Sequence, residues 1–538
     1  MVSIVRIGAG SSELAPPEEI GAKAAILARV ASAGVPVPPA FVLPISLGAA
    51  IAQGDHGAKH ALKDGLKEGM AFLEEATGRR FGDHREPLLV SVRSGAARSM
   101  PGMLDSLLDV GCNGEATRGL IRMTGNPRFA WDCRRRFLEG WAETVLGLDP
   151  TSLAAKRDAL IAEESAGTER DLDSEALERL ALAYEALIAA ADQEIAEDPM
   201  QQLIVASRAV YDSWMSERAC TYRRLQGLDD LKGTAVMVQA MVFGNKGSTS
   251  GAGVAFSRDP SSGACEPQID VLFEAQGEDV VSGRRTPKTE KELAQSAPAV
   301  AAELRRSLVE LEKQFRDVQD IEFTIEDGRL WILQSRAAKR TARAALKIAV
   351  DLVHEGLISE QQGLERVKEL DLEALSIATF AGSASPAVRG IGASGGVAIG
   401  LAAFDASTAE RMAGNGDPVI LIRSDISTAD LKGLAAARGI VTASGGRTAH
   451  AALIARQLGK ACVVGCAGLA VNSDARVAKL DGDTIREGDW ISVDGTTGEV
   501  FLGQREIVTV RPEAELNEVA AWRAGTCGQP DRALASVD

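Results

Sequence analysis

The chain of 538 residues contains five histidines, and one of them, His450, lies in GGRTAHAALIARQLGK, Gly445 to Lys460. GIVTAS before it reads as a strand, and TAHAALIARQL has helical spacing and ends at Gly459. His450 therefore falls in the first turn of a predicted helix. A helix start offers unpaired N–H groups and a partial positive charge, which favour an anion. An imidazole placed there can carry a phosphoryl group, with Arg447 and the Thr448 hydroxyl as local donors; capping or simple exposure is its plainer use. His56, His60, His84 and His354 have no comparable setting.

A second constellation is DIEFTIEDGRLWILQSR, Asp320 to Arg336. Two apolar-rich strands flank Asp327-Gly328, a hairpin signal. Ile321, Phe323, Ile325, Trp331 and Leu333 are all odd-numbered, so a shared buried face requires odd matched with odd. A three-residue Asp327-Gly328-Arg329 turn meets that requirement. The even face then carries Asp320 beside Arg336 and Glu322 opposite Gln334. A carboxylate and a carboxamide oxygen suit one Mg²⁺, and a guanidinium beside them suits phosphate oxygens. A solvated polar face with a surface ion pair has the same pattern. Two Gly-rich stretches, Ser91–Ser106 and Phe243–Pro260, could cradle phosphate on backbone N–H groups, with Arg93, Arg98, Lys246 and Arg258 nearby for charge. Structural turns would look alike, and no G-x-x-x-x-G-K-[ST] motif occurs.

The elements that must position these groups follow from periodicity. Residues 1–50 read as a strand, a helix and a Pro-rich turn into a strand; 115–230 are mostly amphipathic helix. From Gly233 the period changes to strands, TAVMVQAMVF, GAGVAFSRDP and QIDVLFEAQG, before the hairpin. Two helices span Thr341 to about Leu375. The small-residue stretch FAGSASPAVRG then leads to a β-rich module, 391–505, and a last helix begins in PEAELNEVAAWRAG. The expected fold class is α+β multidomain: 1–340, a connector and hinge at 341–390, the module at 391–505 and a stub at 506–538. A composition of 45% apolar and 25% charged residues is that of a soluble chain. A net charge of −16 opposes nucleic acid as main partner. No signal-like start and no 18-residue apolar run is found, so a cytoplasmic, reduced protein without membrane contact is expected. The seven cysteines lack paired metal spacing, and Cys462 and Cys466 read as buried thiols.

Together these stretches resemble the ATP-side portion of pyruvate, phosphate dikinase. SVRSGAARSMPGMLDSLLDVG, GTAVMVQAMVFGNKGSTSGAGVAFSRDPSSG, EAQGEDVVSGRRTP and the hairpin with its following helix are similar to that family's blocks. GGRTAHAALIARQLGKACVVG resembles its phosphohistidine motif, shared more loosely with phosphoenolpyruvate synthase; Arg447 is closer to the synthase pattern. The likeness spans roughly residues 15 to 505.

The resemblance implies an ATP-grasp-like nucleotide domain and a swivelling phosphohistidine domain. ATP would give its β-phosphoryl to His450, and inorganic phosphate would remove the γ-phosphoryl as pyrophosphate. Carried over, Lys23, Arg93, Arg135 (or Arg136) and Arg336 would neutralise phosphate charge, Gly102 would lie over the phosphates, and Glu322 and Gln334 would hold Mg²⁺. Glu274 and Glu278 would be nucleotide-side carboxylates. The family's barrel for phosphoenolpyruvate or pyruvate has no counterpart in the sequence, which implies an acceptor, pyruvate or another, on a separate barrel protein. Self-association stays open. Two alternatives stand beside this reading: a synthase-like enzyme using water, and a silent ATP-binding regulator.

Overall fold

The computed structural model describes residues 3–98, 100, 103–281, 285–373, 375–426, 430–447, 449–480 and 482–526. Gly102 and Thr448 lie outside the described residues, and of His450 the backbone alone is described. The fold is mixed α/β. It divides into two compact units, residues 1–250 with 325–335, and residues 251–324 with 336–538.

The first unit is built on an antiparallel sheet ordered Ser11–Ser12, Val5–Gly8, Ala40–Leu43, Thr234–Ala240, Val90–Ala96, Ser106–Val110. Every residue of Ala40–Leu43 and Thr234–Ala240 is buried, as near-continuous apolar runs require when both faces are covered. The helix His56–Thr77 covers one part through a small-residue stripe: a Cβ on Gly69 would stand 2.3 Å from the Phe41 ring. The helices Pro127–Thr144 and Ser174–Ala190 add Phe129, Phe137, Leu138 and Tyr184 to the same core.

In the second unit Gln268–Phe273 pairs antiparallel with Gly251–Phe256, and Gln319–Glu326 follows in that sheet. The later module has an eight-stranded sheet in which Val397–Ala403, Val419–Arg423, Gly439–Thr442 and Ala461–Val464 are neighbours in parallel. The helices Ala406–Gly414, Leu431–Ala436 and His450–Gln457 connect them. Parallel neighbours need such crossovers, because their ends are too far apart for a tight turn. Cys462 and Cys466 are buried here, and burial pushes both thiols up to about 12. The segments entering and leaving the module pair as a two-stranded ribbon, Ile377–Phe380 with Ile507–Val510. Arg505 lies over Phe501 and donates to the carbonyl of Ala381 at 2.6 Å. The helices Ala342–His354, Glu360–Val367 and Glu513–Thr526 share an apolar cluster around Trp522. Among the described residues no helix is long and apolar enough to cross a membrane.

The hairpin turn differs from expectation. Strands Gln319–Glu326 and Arg329–Ala337 leave two residues between them, Asp327 and Gly328, with φ of 50° and 75°. Positive φ at both central positions is the two-residue turn that matches right-handed strand twist. It pairs odd with even, so Leu330 and Ile332 are buried while Trp331 and Leu333 are half-buried. The alternation then breaks at Leu333-Gln334, both half-buried, and beyond that point parity no longer dictates the face a side chain takes.

Candidate functional site

His450 opens the helix His450–Gln457 just after the strand Gly439–Thr442. The residue preceding it, Ala449, makes no side-chain cap. The loop before the helix is fixed by a carboxylate that the sequence does not advertise. Asp270, on Gln268–Phe273, is 2% exposed and accepts from the Arg447 backbone N–H at 2.6 Å and from its Nη1 at 3.0 Å. Arg456, in the helix that His450 begins, donates to the Arg447 carbonyl and lies 5.5 Å from the centre of the Phe256 ring. Burial holds the Arg456 guanidinium below its usual value, with Asp320 and Asp270 opposing.

Asp320 and Arg336 meet as expected, Nε to Oδ2 at 2.8 Å. Asp320 is 6% exposed and its Oδ1 has no hydrogen-bond partner among the described residues. Burial pushes its carboxyl above the usual range; Arg336 opposes this and Glu322 adds to it. Burial would lower the Arg336 guanidinium, but Asp320 and Glu322 outweigh it and hold it above its usual value. Asp320, Glu322, Arg336 and Arg456 thus form one electrostatic cluster. Glu274 follows the strand Gln268–Phe273 at φ 50°, and Glu278 lies in the short helix Gly277–Val281; both are exposed.

In the first unit Lys23 sits in the first turn of the helix Ala22–Ser32, and Arg93 on Val90–Ala96 reaches the Gln239 carboxamide at 3.5 Å. Gly21 brings helix and strand together: at φ 81° and ψ 152°, its Cβ would lie 2.2 Å from the Gly95 carbonyl oxygen. Arg135 is 2% exposed and bonded to Asp132 at 2.9 Å, Glu139 at 2.5 Å and Glu169 at 2.6 Å. Arg136 binds Asp132 at 3.1 Å. Two cations of the Gly-rich stretches also have carboxylate partners, Lys246 with Glu326 and Asp327, and Arg258 with Glu312 and Glu355. A cleft of about 740 Å³ in this unit is lined by Gly8–Ser11, Ser32, Arg79, Met241 and Trp331 among others.

Residues 58–297 and 288–356 match the family described as pyruvate phosphate dikinase, AMP/ATP-binding domain. Residues 415–498 match the mobile domain of PEP-utilising enzymes. The chain belongs to the pyruvate, phosphate dikinase family. It is 40% identical over 509 residues to the pyruvate, phosphate dikinase of Clostridium symbiosum, covering 94% of this chain and 58% of that protein. The chloroplastic enzymes of Flaveria trinervia and Arabidopsis thaliana are 40% and 41% identical, each over 94% of this chain and 53% of their own length. The chain therefore spans little more than half the length of these curated relatives. Within the dikinase family's matches, His450, Arg447 and Arg456 fall in the mobile domain, and Asp270, Asp320, Glu322, Gln334 and Arg336 in the AMP/ATP-binding domain.

Proposed function

We propose that the chain carries the nucleotide and phosphate half-reactions of a pyruvate, phosphate dikinase. The observation that supports it most is the pair of hydrogen bonds from Arg447 to Asp270, which ties the His450 loop to a strand of the ATP-binding region. An imidazole nitrogen of His450 attacks the β-phosphorus of ATP; the N–P bond forms, the bond to the α-phosphate oxygen breaks, and AMP leaves. An oxygen of inorganic phosphate then attacks the γ-phosphorus. Pyrophosphate departs and a single phosphoryl group stays on His450. That group passes on to pyruvate, giving phosphoenolpyruvate, or to another acceptor.

In this reading residues 1–340 form an ATP-grasp-like domain, 341–390 a connector and hinge, 391–505 the phosphohistidine domain and 506–538 a stub. Lys23, Arg93 and Arg336 neutralise phosphate charge; Arg135 is held by three carboxylates, Asp132, Glu139 and Glu169. Glu322 and Gln334 hold Mg²⁺, and the half-free Asp320 makes a third hard oxygen donor, a set that fits this ion. The metal, when bound, offsets charge on the phosphates. The nucleoside takes the cleft, since the helix from Lys23 to Ser32 is about 13 Å long, comparable with an extended nucleoside triphosphate. The paired ribbon at Ile377–Phe380 and Ile507–Val510 serves as the swivel. Catalysis is positioning and charge neutralisation, as phosphoryl transfer demands.

The test is the phosphate requirement. ATP, Mg²⁺ and the chain should yield pyrophosphate only when inorganic phosphate is added, and not at all with His450→Asn. Orthophosphate release from ATP and water would select synthase-like chemistry, and ATP binding without turnover a silent regulator.

A further inference from the structure

We propose that Asp270 is a positioning residue that clamps the His450 loop only while His450 is unmodified, and that the phosphoryl group, once attached, takes Arg447 away from it. The inference rests on the reading of His450 as the phosphoryl carrier.

Asp270 receives two hydrogen bonds from one residue, the backbone N–H and the guanidinium of Arg447, in a setting where the carboxylate is 2% exposed. Charge-assisted contacts of this kind are short and strong. The loop also approaches its strand as closely as a backbone can. A Cβ on Gly446 would lie 2.7 Å from Asp270 Oδ2 and 2.5 Å from Pro287 Cγ. On its other side the Arg447 carbonyl is held by Arg456, which belongs to the His450 helix. The Arg447 backbone is thus fixed to the phosphohistidine module, while its guanidinium can change partner without refolding the loop.

Arg447 stands three residues before His450. A phosphoryl group on the imidazole carries more negative charge than a carboxylate and presents several oxygens to the planar fork of an arginine. One guanidinium cannot satisfy both anions. When the phosphoryl group takes it, Asp270 is left buried without its ionic partner. That loss favours separation of the loop from the strand. Phosphorylation itself would therefore release the module for its journey to the acceptor, and dephosphorylation would let Asp270 recapture it.

Hydrogen–deuterium exchange of the Arg447 amide tests this on the full chain. Histidine is loaded with potassium phosphoramidate, a chemical phosphoryl donor that needs no ATP. In the unloaded chain D270N should raise exchange at this amide about ten- to a hundredfold, the size of one lost charge-assisted bond. Loading should raise the wild type to a similar level, add nothing to D270N, and leave phosphoramidate-treated H450A unchanged. R447K, which keeps the backbone bond but lacks the fork, should respond only weakly to loading. Exchange within Val397–Ala403 reports that each variant is folded. Equal protection in D270N and wild type, or full protection in loaded wild type, would overturn the proposal. Failure of ATP to label His450 would refute the dikinase reading separately, because neither the D270N comparison nor phosphoramidate loading depends on ATP.

Discussion

Arg258 offers the sharpest separation between a cation that binds phosphate and one that holds the fold. Its sequence context, a Gly-rich stretch after a strand, suits the first role. Its surroundings suit the second: it is 1% exposed, and Nε and Nη2 donate to Glu312 Oε1 at 2.9 and 2.5 Å while Nη2 also reaches Glu355 at 2.6 Å. Glu312 is 8% exposed and otherwise accepts only from the Ser257 hydroxyl among its described hydrogen bonds. Arg258→Met leaves that carboxylate buried without a cation, a change that costs about 3–5 kcal/mol. At about 2–4 °C per kcal/mol for a unit of this size, the melting transition of the second unit falls by about 6–20 °C. Replacing both residues, Arg258→Met with Glu312→Leu, removes the orphaned charge and recovers most of the loss, because a buried ion pair exchanged for apolar groups is often neutral. Differential scanning calorimetry of the four proteins gives the cycle, and ATP titration below the transition gives the second readout. ATP affinity should stay within about twofold of wild type, since Arg258 has no path to phosphate through its carboxylate partners. A drop of less than 2 °C, or a tenfold loss of ATP affinity with unchanged melting, would refute this assignment.

Asp132 makes the corresponding claim for the first unit and adds a pH signature. Burial alone would raise its carboxyl, but Arg136 and Arg135 outweigh burial and hold it well below the usual range. The stability it contributes is complete above the unfolded carboxylate value of about 4 and is lost as pH falls below that. Asp132→Asn should therefore weaken the urea midpoint at pH 7 and flatten the acid limb; parallel curves for the two proteins would contradict it. Gly21→Ala forces a side chain into a glycine-only backbone region, at about 1–3 kcal/mol, and against the Gly95 carbonyl. It should lower both stability and ATP affinity by calorimetric titration, and unchanged affinity would mean that the close approach of this helix to the Gly95 strand does not shape the nucleotide site. Burial pushes Cys112, Cys462 and Cys466 up to about 12. In a Cys527→Ser background an aromatic disulfide reagent at pH 8 should modify exposed Cys265 first and half-buried Cys220 more slowly, the others reacting only on unfolding.

Local features were the most legible in the sequence. The Asp-Gly hairpin, the helix that starts at His450 and the buried thiols each rest on residues close in the chain. The Asp320–Arg336 pair is legible as well, although the three-residue turn that the spacing predicts is a two-residue turn in the structure. One residue fewer in that turn reverses the parity of the strands, and periodicity of apolar residues cannot resolve it because Trp331 and Leu333 are half-buried rather than core. What the sequence hid are partners far along the chain. Glu312 lies 54 residues from Arg258, and Asp270 lies 177 from Arg447. A basic residue in a Gly-rich loop looks the same whether its counter-ion is a ligand or a carboxylate from another element. Arg456 had no local signal, since an arginine near the end of a helix is ordinarily a favourable dipole partner.

The central claim, that His450 carries the β-phosphoryl group of ATP, is tested most directly by labelling the chain in parallel with ATP marked at the β- or the γ-phosphorus. With Mg²⁺ and inorganic phosphate present, the β-label should appear on the protein as an acid-labile, base-stable adduct at His450. The γ-label should leave as pyrophosphate, and His450→Ala should take up neither. Retention of the γ-label in the presence of phosphate, or β-label on a residue other than His450, would contradict the account.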